Sequence, residues 1–256
     1  MFYPIWQKEV RERLYTWKGT VWLILAALVF SLTSYLLLTN KELSLLDQTE
    51  LLWLLSKIIV VVSLVIVVID ASLVINTEFE RETAESLFLT PLLLSDFVLG
   101  KFLATMTLWA AIFVVAVPYM LVTSSGTHLA GAFIGYVALL GTIGIAAIVL
   151  IIFALSFLFR SSKNTLTAAL VLLLAMATPA LFSSTLKNNS AAQVLSRINP
   201  VDNIFGSLDN VLVDYQQSLA QNWHYLWPLL VFLLLAIILL IGAIRRFSQQ
   251  GIIKNE

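Results

Sequence analysis

The chain has 256 residues, of which 60% are hydrophobic and 12% charged, and its mean hydropathy is +0.94. A soluble domain carries about 45–50% apolar and about 25% charged residues, so this composition indicates a polytopic membrane protein. It excludes a secreted disulfide scaffold, a disordered regulator and a nucleic-acid-binding protein. Because there is no cysteine, disulfides and thiolate metal sites are excluded as well. Fifteen basic residues balance fifteen acidic ones, so net charge alone indicates no partner.

Residues 1–19 are predicted to form an amphipathic helix at the membrane surface. Apolar residues recur there at intervals of three or four, and the charged residues fall elsewhere around the helix. The apolar set is Trp6, Val10, Leu14 and Trp17. We expect this helix to lie among lipid headgroups and to turn into the membrane near Gly19. The alternative is a simple basic anchor for the first span.

Six stretches are long and apolar enough to cross a bilayer, which takes about 20 residues for roughly 30 Å of hydrocarbon. They are residues 20–38, 52–75, 102–123, 129–159, 166–183 and 226–244. Irregular backbone is not tolerated against lipid, and the alternating pattern of barrel strands is absent. The predicted fold class is therefore an all-α polytopic membrane protein with six transmembrane helices, forming a single domain over residues 1–256.

The distribution of Lys and Arg predicts the orientation of these spans. Eleven basic residues lie in the N-terminal segment, the second and fourth connections and the C-terminal tail, against three in the opposite loops. Basic residues accumulate on the cytoplasmic side, so we predict a protein of the cell membrane with both termini in the cytoplasm.

Two ionisable residues, Lys57 and Asp70, lie within the second predicted span. A charge at mid-bilayer costs about 2.5–3.5 kcal/mol, so each is a candidate functional residue. Both lie near span ends, and Lys57 is long enough to reach the interface. Thirteen positions separate them, so they do not share a helix face and a two-residue proton relay is not expected. Asp70 remains a candidate for lining a cavity or the transport pathway.

The connection 76–100 is predicted to be a cytoplasmic loop that contains a short helix. Thr77 and Glu80 have the spacing of a capping box, and Phe79 and Leu87 fall on one apolar stripe. Pro91 is expected to end the helix. Such a stripe fits either a lipid surface or the groove of a partner protein. The acidic first turn would be repelled by an anionic leaflet, which favours the protein partner.

Two further segments carry recognisable patterns. Four glycines in the fourth span predict close helix packing, with a pathway or dimer seam as the alternative; they are Gly131, Gly135, Gly141 and Gly144. The long outer loop 184–225 contains an N-cap residue, Asn199, followed by Pro200 and helically spaced apolar residues. We expect a short helix lying in or dipping into the outer leaflet, or alternatively a small extracellular cap.

The sequence lacks the residues of a catalytic centre. His128 and His224 lie at span boundaries without nearby metal-ligating residues. Gly100–Lys101 resembles the end of a phosphate loop, but Ser95 and Phe102 stand where that loop requires glycine and Ser/Thr. We therefore predict that this chain is not an enzyme, has no cofactor or metal site of its own, and that Lys101 marks the inner membrane boundary.

The run Glu80-Arg81-Glu82-Thr83-Ala84-Glu85-Ser86-Leu87-Phe88-Leu89-Thr90-Pro91-Leu92, followed by Leu99-Gly100-Lys101, resembles the first cytoplasmic loop of type-2 ABC transporter permeases. That family shows Glu-Arg-Gly-Thr-x-Glu-x-Leu, then Thr-Pro-Leu and Leu-Gly-Lys, and Glu82 here replaces the glycine. Ile198-Asn199-Pro200 is also similar to the Asn-Pro that precedes the family's last span.

This resemblance implies the membrane subunit of an ATP-driven exporter. Two such subunits would pair, as a homodimer or heterodimer, and each would dock a separate ATPase subunit that holds ATP and Mg. The helix 78–90 would be the coupling helix, and the N-terminal helix the elbow helix. The residues implied in coupling are Phe79, Glu80, Arg81, Thr83, Glu85, Leu87, Phe88, Thr90 and Pro91.

The cargo is not specified by the sequence, although scarce intramembrane charge favours a hydrophobic or amphipathic molecule such as a lipid, drug, peptide or glycan-type cargo. The alternative function is a secondary transporter driven by an ion gradient, in which Asp70 would carry the coupling ion. A membrane-embedded enzyme is disfavoured because the catalytic set is missing, and a purely structural membrane scaffold is a further alternative.

Overall fold

The computed structural model describes residues 2–39, 47–80, 94–181, 197–216 and 218–249, with side chains given up to residue 177 in the third range. Within these ranges the chain forms helices joined by turns, and no strand is present. In chain order the helices are α1 (Tyr3–Leu14), α2 (Trp17–Thr39), α3 (Gln48–Val74), α4 (Asn76–Glu80), α5 (Leu94–Thr123), α6 (Ala130–Phe159), α7 (Ser162–Leu181), α8 (Pro200–Leu212) and α9 (Trp223–Gln249).

Five of these helices, α2, α3, α5, α6 and α9, are long and apolar enough to cross a membrane. They match five of the six predicted spans and confirm the all-helical multi-span class. The sixth predicted span corresponds to α7, whose apolar stretch Ser162–Ala177 is shorter within the described residues. Helix α5 begins at Leu94, eight residues before the predicted start, because the polar Ser95, Asp96 and Lys101 lower the hydropathy of a stretch that is nevertheless helical.

Helix α6 lies at the centre of the bundle. In the apolar 18-residue stretch of α6, 72% is buried, against 22% in the corresponding stretches of α2 and α9, which lie at the periphery. Helix α9 packs along α6, and α3 contacts α5, α6 and α7. The exposed apolar side chains of α2 and α9 are what a lipid-facing helix requires, since lipid rather than protein solvates them.

The N-terminal helix α1 packs against α5 and meets α2 at a sharp turn. The turn lies at Tyr15–Thr16, earlier than the predicted position near Gly19. Gly19 instead lies where α2 crosses the end of α1, and a Cβ there would overlap the carbonyl oxygen of Arg13. The residues that α1 buries are charged: Glu9 and Arg13 are 8% and 7% exposed. The apolar stripe predicted for this helix is therefore only part of its packing face.

Helix α8 is capped as expected. The Asn199 side chain accepts a hydrogen bond from the Val201 backbone N–H, and Pro200 occupies the first turn. The apolar face of α8 is buried against α3, α6, α7 and α9 rather than facing lipid; its buried members are Val201, Ile204, Leu208, Val211 and Leu212. Ile204 touches Gly144, which lies about 21 Å along α6 from its first residue. The helix therefore packs deep in the bundle.

Candidate functional site

Five charged residues from four helices form a buried cluster at the end of the bundle that carries α1. The members of this ion cluster are Glu9 of α1, Arg13 of α1, Asp70 of α3, Glu78 of α4 and Lys101 of α5. The Lys101 ammonium group donates to Glu9 Oε1 at 2.7 Å, to the Val74 carbonyl at 3.1 Å and to Glu78 Oε1 at 3.2 Å. All three of its N–H donors are thus used, and the side chain is only 2% exposed.

Arg13 links the other half of the cluster. Its Nη1 donates to Asp70 Oδ2 at 2.5 Å and to Thr105 Oγ1 at 2.5 Å, and its Nη2 donates to Glu9 Oε2 at 3.2 Å. Glu9 therefore accepts from both cations and joins the two halves. Burying charges is costly unless they are paired and hydrogen-bonded, so this arrangement fixes α1 against α3, α4 and α5 in one geometry.

The short helix α4 is held on its other side by aromatic contacts. The Phe79 ring centroid lies 6.0 Å from that of Phe157 in α6 and 5.3 Å from that of Phe247 in α9. Phe157 and Phe247 are themselves 5.3 Å apart, and the Arg160 guanidinium lies 5.0 Å from the Phe247 ring. Edge and tilted ring pairs at these separations are favourable, so Phe79 ties α4 to the ends of α6 and α9.

Glu80 connects α4 to the start of α7. Its carboxylate accepts from the Ser162 backbone N–H at 2.7 Å and from the Ser162 hydroxyl at 2.9 Å. A carboxylate at a helix start satisfies donors that lack an intrahelical partner. These two hydrogen bonds from Ser162 hold the pKa of Glu80 below its ordinary value.

Of the residues implied in coupling, the structure thus places Phe79 and Glu80 at one end of the bundle, in contact with α6, α7 and α9. The others lie outside the described residues and stay predictions; they are Arg81, Thr83, Glu85, Leu87, Phe88, Thr90 and Pro91.

Lys57 and Asp70 both lie on α3 but belong to different environments. Asp70 is ion-paired with Arg13 in the cluster, with 18% of its side chain exposed. The Lys57 ammonium lies 3.2 Å from the centre of the Trp53 ring and 5.5 Å from that of Phe205. Such cation–π contacts offset part of the cost of placing a lysine in an apolar environment.

The four glycines of α6 divide into two pairs. Gly141 and Gly144 are packed within the chain: a Cβ on Gly141 would lie 2.8 Å from the Trp109 ring, and one on Gly144 would meet Ile204. Gly131 and Gly135 are exposed, and a Cβ there would meet no atom of the described residues within 4 Å. Only the second pair has room for a neighbouring helix from outside the chain.

Of the five members of the ion cluster, the sequence indicates only Asp70 as a candidate site residue. Glu9 and Arg13 have i, i+4 spacing, which is a weak signal for a local ion pair. Lys101 was interpreted as a boundary marker, but its partners lie on three other segments of the chain. Nothing in its own sequence neighbourhood indicates that it is buried.

One family model matches the chain, described as "ABC-2 family transporter protein", and it covers residues 3–252. No curated protein sequence matches the chain. The match spans the helical bundle, the ion cluster and the loop whose residues resemble the permease motif. This chain therefore belongs to the ABC-2 family and is a multi-pass membrane permease of an ABC-type transporter, a transport component distinct from the ATPase with which the family associates.

Proposed function

We propose that this chain forms half of the membrane pathway of an ATP-driven exporter, and that residues 78–90 form a coupling helix seated in a separate ATPase subunit. ATP and Mg would be held by that subunit. In this proposal α7 completes six spans of one domain over residues 1–256, and both termini are cytoplasmic. Helix α1 is the elbow helix beside the coupling segment. Membership in the ABC-2 family supports this assignment.

The observation that carries the proposal is the double anchorage of α4, which leads directly into the coupling segment. On one side Glu78 is bound to Lys101 of α5, at 3.2 Å. On the other side Phe79 packs between α6 and α9, and Glu80 accepts hydrogen bonds from the first residue of α7. A displacement of the segment after Glu80 would therefore act on α5, α6, α7 and α9 together.

This anchorage suggests how ATP hydrolysis elsewhere would move the membrane helices. Closure of two ATPase subunits would push the coupling segments of two permeases towards each other. Because α1, α4 and α5 are joined by buried ion pairs, they would move as one body rather than separately. The motor would then bias the permease between two packings, open to the inside and open to the outside.

The proposal also requires a second permease subunit. The exposed pair Gly131 and Gly135 on α6 would allow a partner helix to approach closely, because small residues let backbones meet in lipid. These two positions are therefore proposed for a dimer seam or for the pathway wall. Gly141 and Gly144 are already occupied by contacts within the chain.

The proposed cargo is hydrophobic or amphipathic, of the lipid, drug, peptide or glycan type. The ionisable side chains within the second span support this, since Lys57 lies over Trp53 and Asp70 is paired with Arg13. An ion-coupled mechanism would require Asp70 to release Arg13 in each cycle. Asp70→Asn would then abolish ion-driven uptake in the absence of the ATPase.

The test combines co-purification with two uncoupling variants. The ATPase subunit should co-purify with the wild-type permease, and the reconstituted complex should hydrolyse ATP and transport. Phe79→Ala, which removes the ring between Phe157 and Phe247, and Arg81→Glu should each lower transport strongly. They should do so either by losing the ATPase subunit or by separating hydrolysis from transport.

The control is Leu234→Ala in α9, whose side chain is 57% exposed and faces away from the bundle. It should leave transport and co-purification unchanged. Normal transport in both Phe79→Ala and Arg81→Glu would refute the coupling role, and transport by the permease without any ATPase would refute the proposed function.

A further inference from the structure

A cavity of about 510 Å³ lies beside the junction of α1 and α2. Its wall is built from α1, α2, α3, α4 and α5, and it includes charged side chains of both signs and two tryptophans, Trp17 and Trp22. The charged wall residues are Glu9, Glu12, Asp70 and Glu78 on the acidic side and Arg13, Lys18 and Lys101 on the basic side. An occupant of this cavity would therefore meet cations and carboxylates together.

The charged residues of the cavity wall differ in whether they are already paired with other residues of the chain. The Lys101 ammonium already donates hydrogen bonds to Glu9, to Glu78 and to the Val74 carbonyl. By contrast, Lys18 is exposed and makes no ion pair within the described ranges. Glu12 is 59% exposed, and within the part of the chain that the structure describes its carboxylate has a single ionic contact, with Lys8 at 3.7 Å. The cavity rim thus offers one accessible cation and one accessible carboxylate.

The two rim charges stand on opposite sides of the turn. Glu12 is in the last turn of α1, and Lys18 is in the first turn of α2. The start of α2 adds the positive end of a helix dipole on the side of Lys18, which favours an anion such as phosphate. Asp70 lines the deeper wall and keeps 18% of its side chain exposed. An ammonium group that entered the cavity would meet two wall carboxylates, that of Glu12 at the rim and that of Asp70, which is also paired with Arg13.

The junction also has the character of a membrane interface. Tyr15 and Trp17 are 83% and 79% exposed, and Tyr and Trp are enriched where lipid headgroups meet water. Helix α1 packs across the bundle at this level, whereas α2 is long and apolar enough to span the hydrocarbon. The cavity therefore lies at the depth of phospholipid headgroups.

We propose that this cavity binds the phosphoethanolamine headgroup of a membrane phospholipid, with its phosphate on Lys18 and its primary ammonium on Glu12 and Asp70. A bound lipid would hold the α1–α2 turn in place from outside the ion cluster. The proposal requires that the chain is a membrane protein and that the α1–α2 turn lies at the membrane surface. A primary ammonium suits the site because carboxylates accept its N–H hydrogen bonds.

The test measures which lipid the full-length chain retains. The protein is placed in nanodiscs that contain equal amounts of phosphatidylethanolamine, phosphatidylcholine and phosphatidylglycerol with the same acyl chains. After mild detergent extraction, the bound lipid is identified by native mass spectrometry. Phosphatidylethanolamine should be enriched about fivefold over the other two, the ratio that one partly exposed ionic contact supplies.

Variants at the cavity rim distinguish lipid binding at this site from nonspecific lipid binding elsewhere on the protein. Glu12→Gln should lower the enrichment, because the primary ammonium is what distinguishes phosphatidylethanolamine from the other two lipids. Lys18→Gln should lower the retention of all three lipids, because they share the phosphate. The double variant should show neither strong retention nor enrichment, while Arg11→Gln should leave both unchanged. Arg11 is a matched control because it is an exposed cation of α1 that does not line the cavity. Equal retention of the three lipids, retention of phosphatidylcholine equal to that of phosphatidylethanolamine, or enrichment that persists in the double variant would overturn the proposal.

Discussion

The variant Lys101→Met tests whether the ion cluster holds α1 and α4 to the bundle. The substitution keeps an unbranched side chain one atom shorter and removes an ammonium that donates at 2.7, 3.1 and 3.2 Å. Glu9 and Glu78 would then lack this buried counter-charge. Removing one partner of a buried ion pair costs about 3–5 kcal/mol. We expect the lower end of that range, because Glu9 keeps its bond to Arg13 and Glu78 is 21% exposed.

The assay is the free energy of unfolding in mixed micelles of a mild detergent and dodecyl sulfate. The control is Lys8→Met, which removes an exposed pair with Glu12 on the same helix and should cost less than about 1 kcal/mol. Combining Lys101→Met with Glu9→Gln removes opposite charges together, so the double variant should be less destabilised than the sum of the two single variants. Additive losses, or a Lys101→Met protein as stable as the Lys8→Met control, would refute the reasoning.

Three further predictions concern other parts of the bundle. Hydrogen bonds lower the pKa of Glu80 in the folded protein. Its contribution to the free energy of unfolding should therefore be present above pH 4.5, the ordinary pKa of the carboxyl group, and should be lost as the pH falls through the lower pKa of the folded state. Glu80→Gln should therefore destabilise the protein at pH 7, and the difference from wild type should disappear in acid; a difference independent of pH would contradict this. Gly141→Ala should cost about 1–3 kcal/mol in the same unfolding assay, since its Cβ would lie 2.8 Å from the Trp109 ring. Gly131→Ala has open space and should not lower monomer stability, since alanine is also the better helix former, and equal losses would show that the packing argument fails. Asn199→Ala removes the cap of α8 and also the hydrogen bonds that the Asn199 amide donates to the Met176 carbonyl and to Asp202, so it should cost more than the roughly 1 kcal/mol of a cap alone in the same assay. Asn199→Asp keeps the acceptor for the Val201 N–H but loses both donated hydrogen bonds, so it should be destabilised as well; an Asp variant as stable as wild type would contradict this.

The sequence predicts those features that follow from local rules. Long apolar runs predict spans because hydrocarbon admits only internally hydrogen-bonded backbone, and five of the six are present as long apolar helices. The cap at Asn199 was predictable because a cap depends on residues within one helical turn. The family was predictable from the loop motif, and the match over residues 3–252 confirms it.

The ion cluster was not predictable because its contacts are distant in the sequence. Glu9 and Lys101 are 92 positions apart, and their pairing depends on how α1 packs across α5. Arg13 contributed to the positive charge bias of the N-terminal segment, and only its i, i+4 spacing from Glu9, a weak signal, distinguishes it locally from the exposed Arg11. The glycine run of α6 likewise predicts close packing, but which glycines face the bundle is decided by the neighbours, Trp109 and Ile204.

In the proposed mechanism, a separate ATPase subunit binds this permease at the segment that follows α4. The chain has no cysteine, so a single introduced cysteine reports on one position. In the purified active complex, Glu85→Cys carrying a photoreactive maleimide should cross-link to the ATPase subunit. Ser125→Cys, an exposed position in the turn between α5 and α6 at the opposite end, should not. Cross-linking from position 125 but not from position 85 would contradict the account.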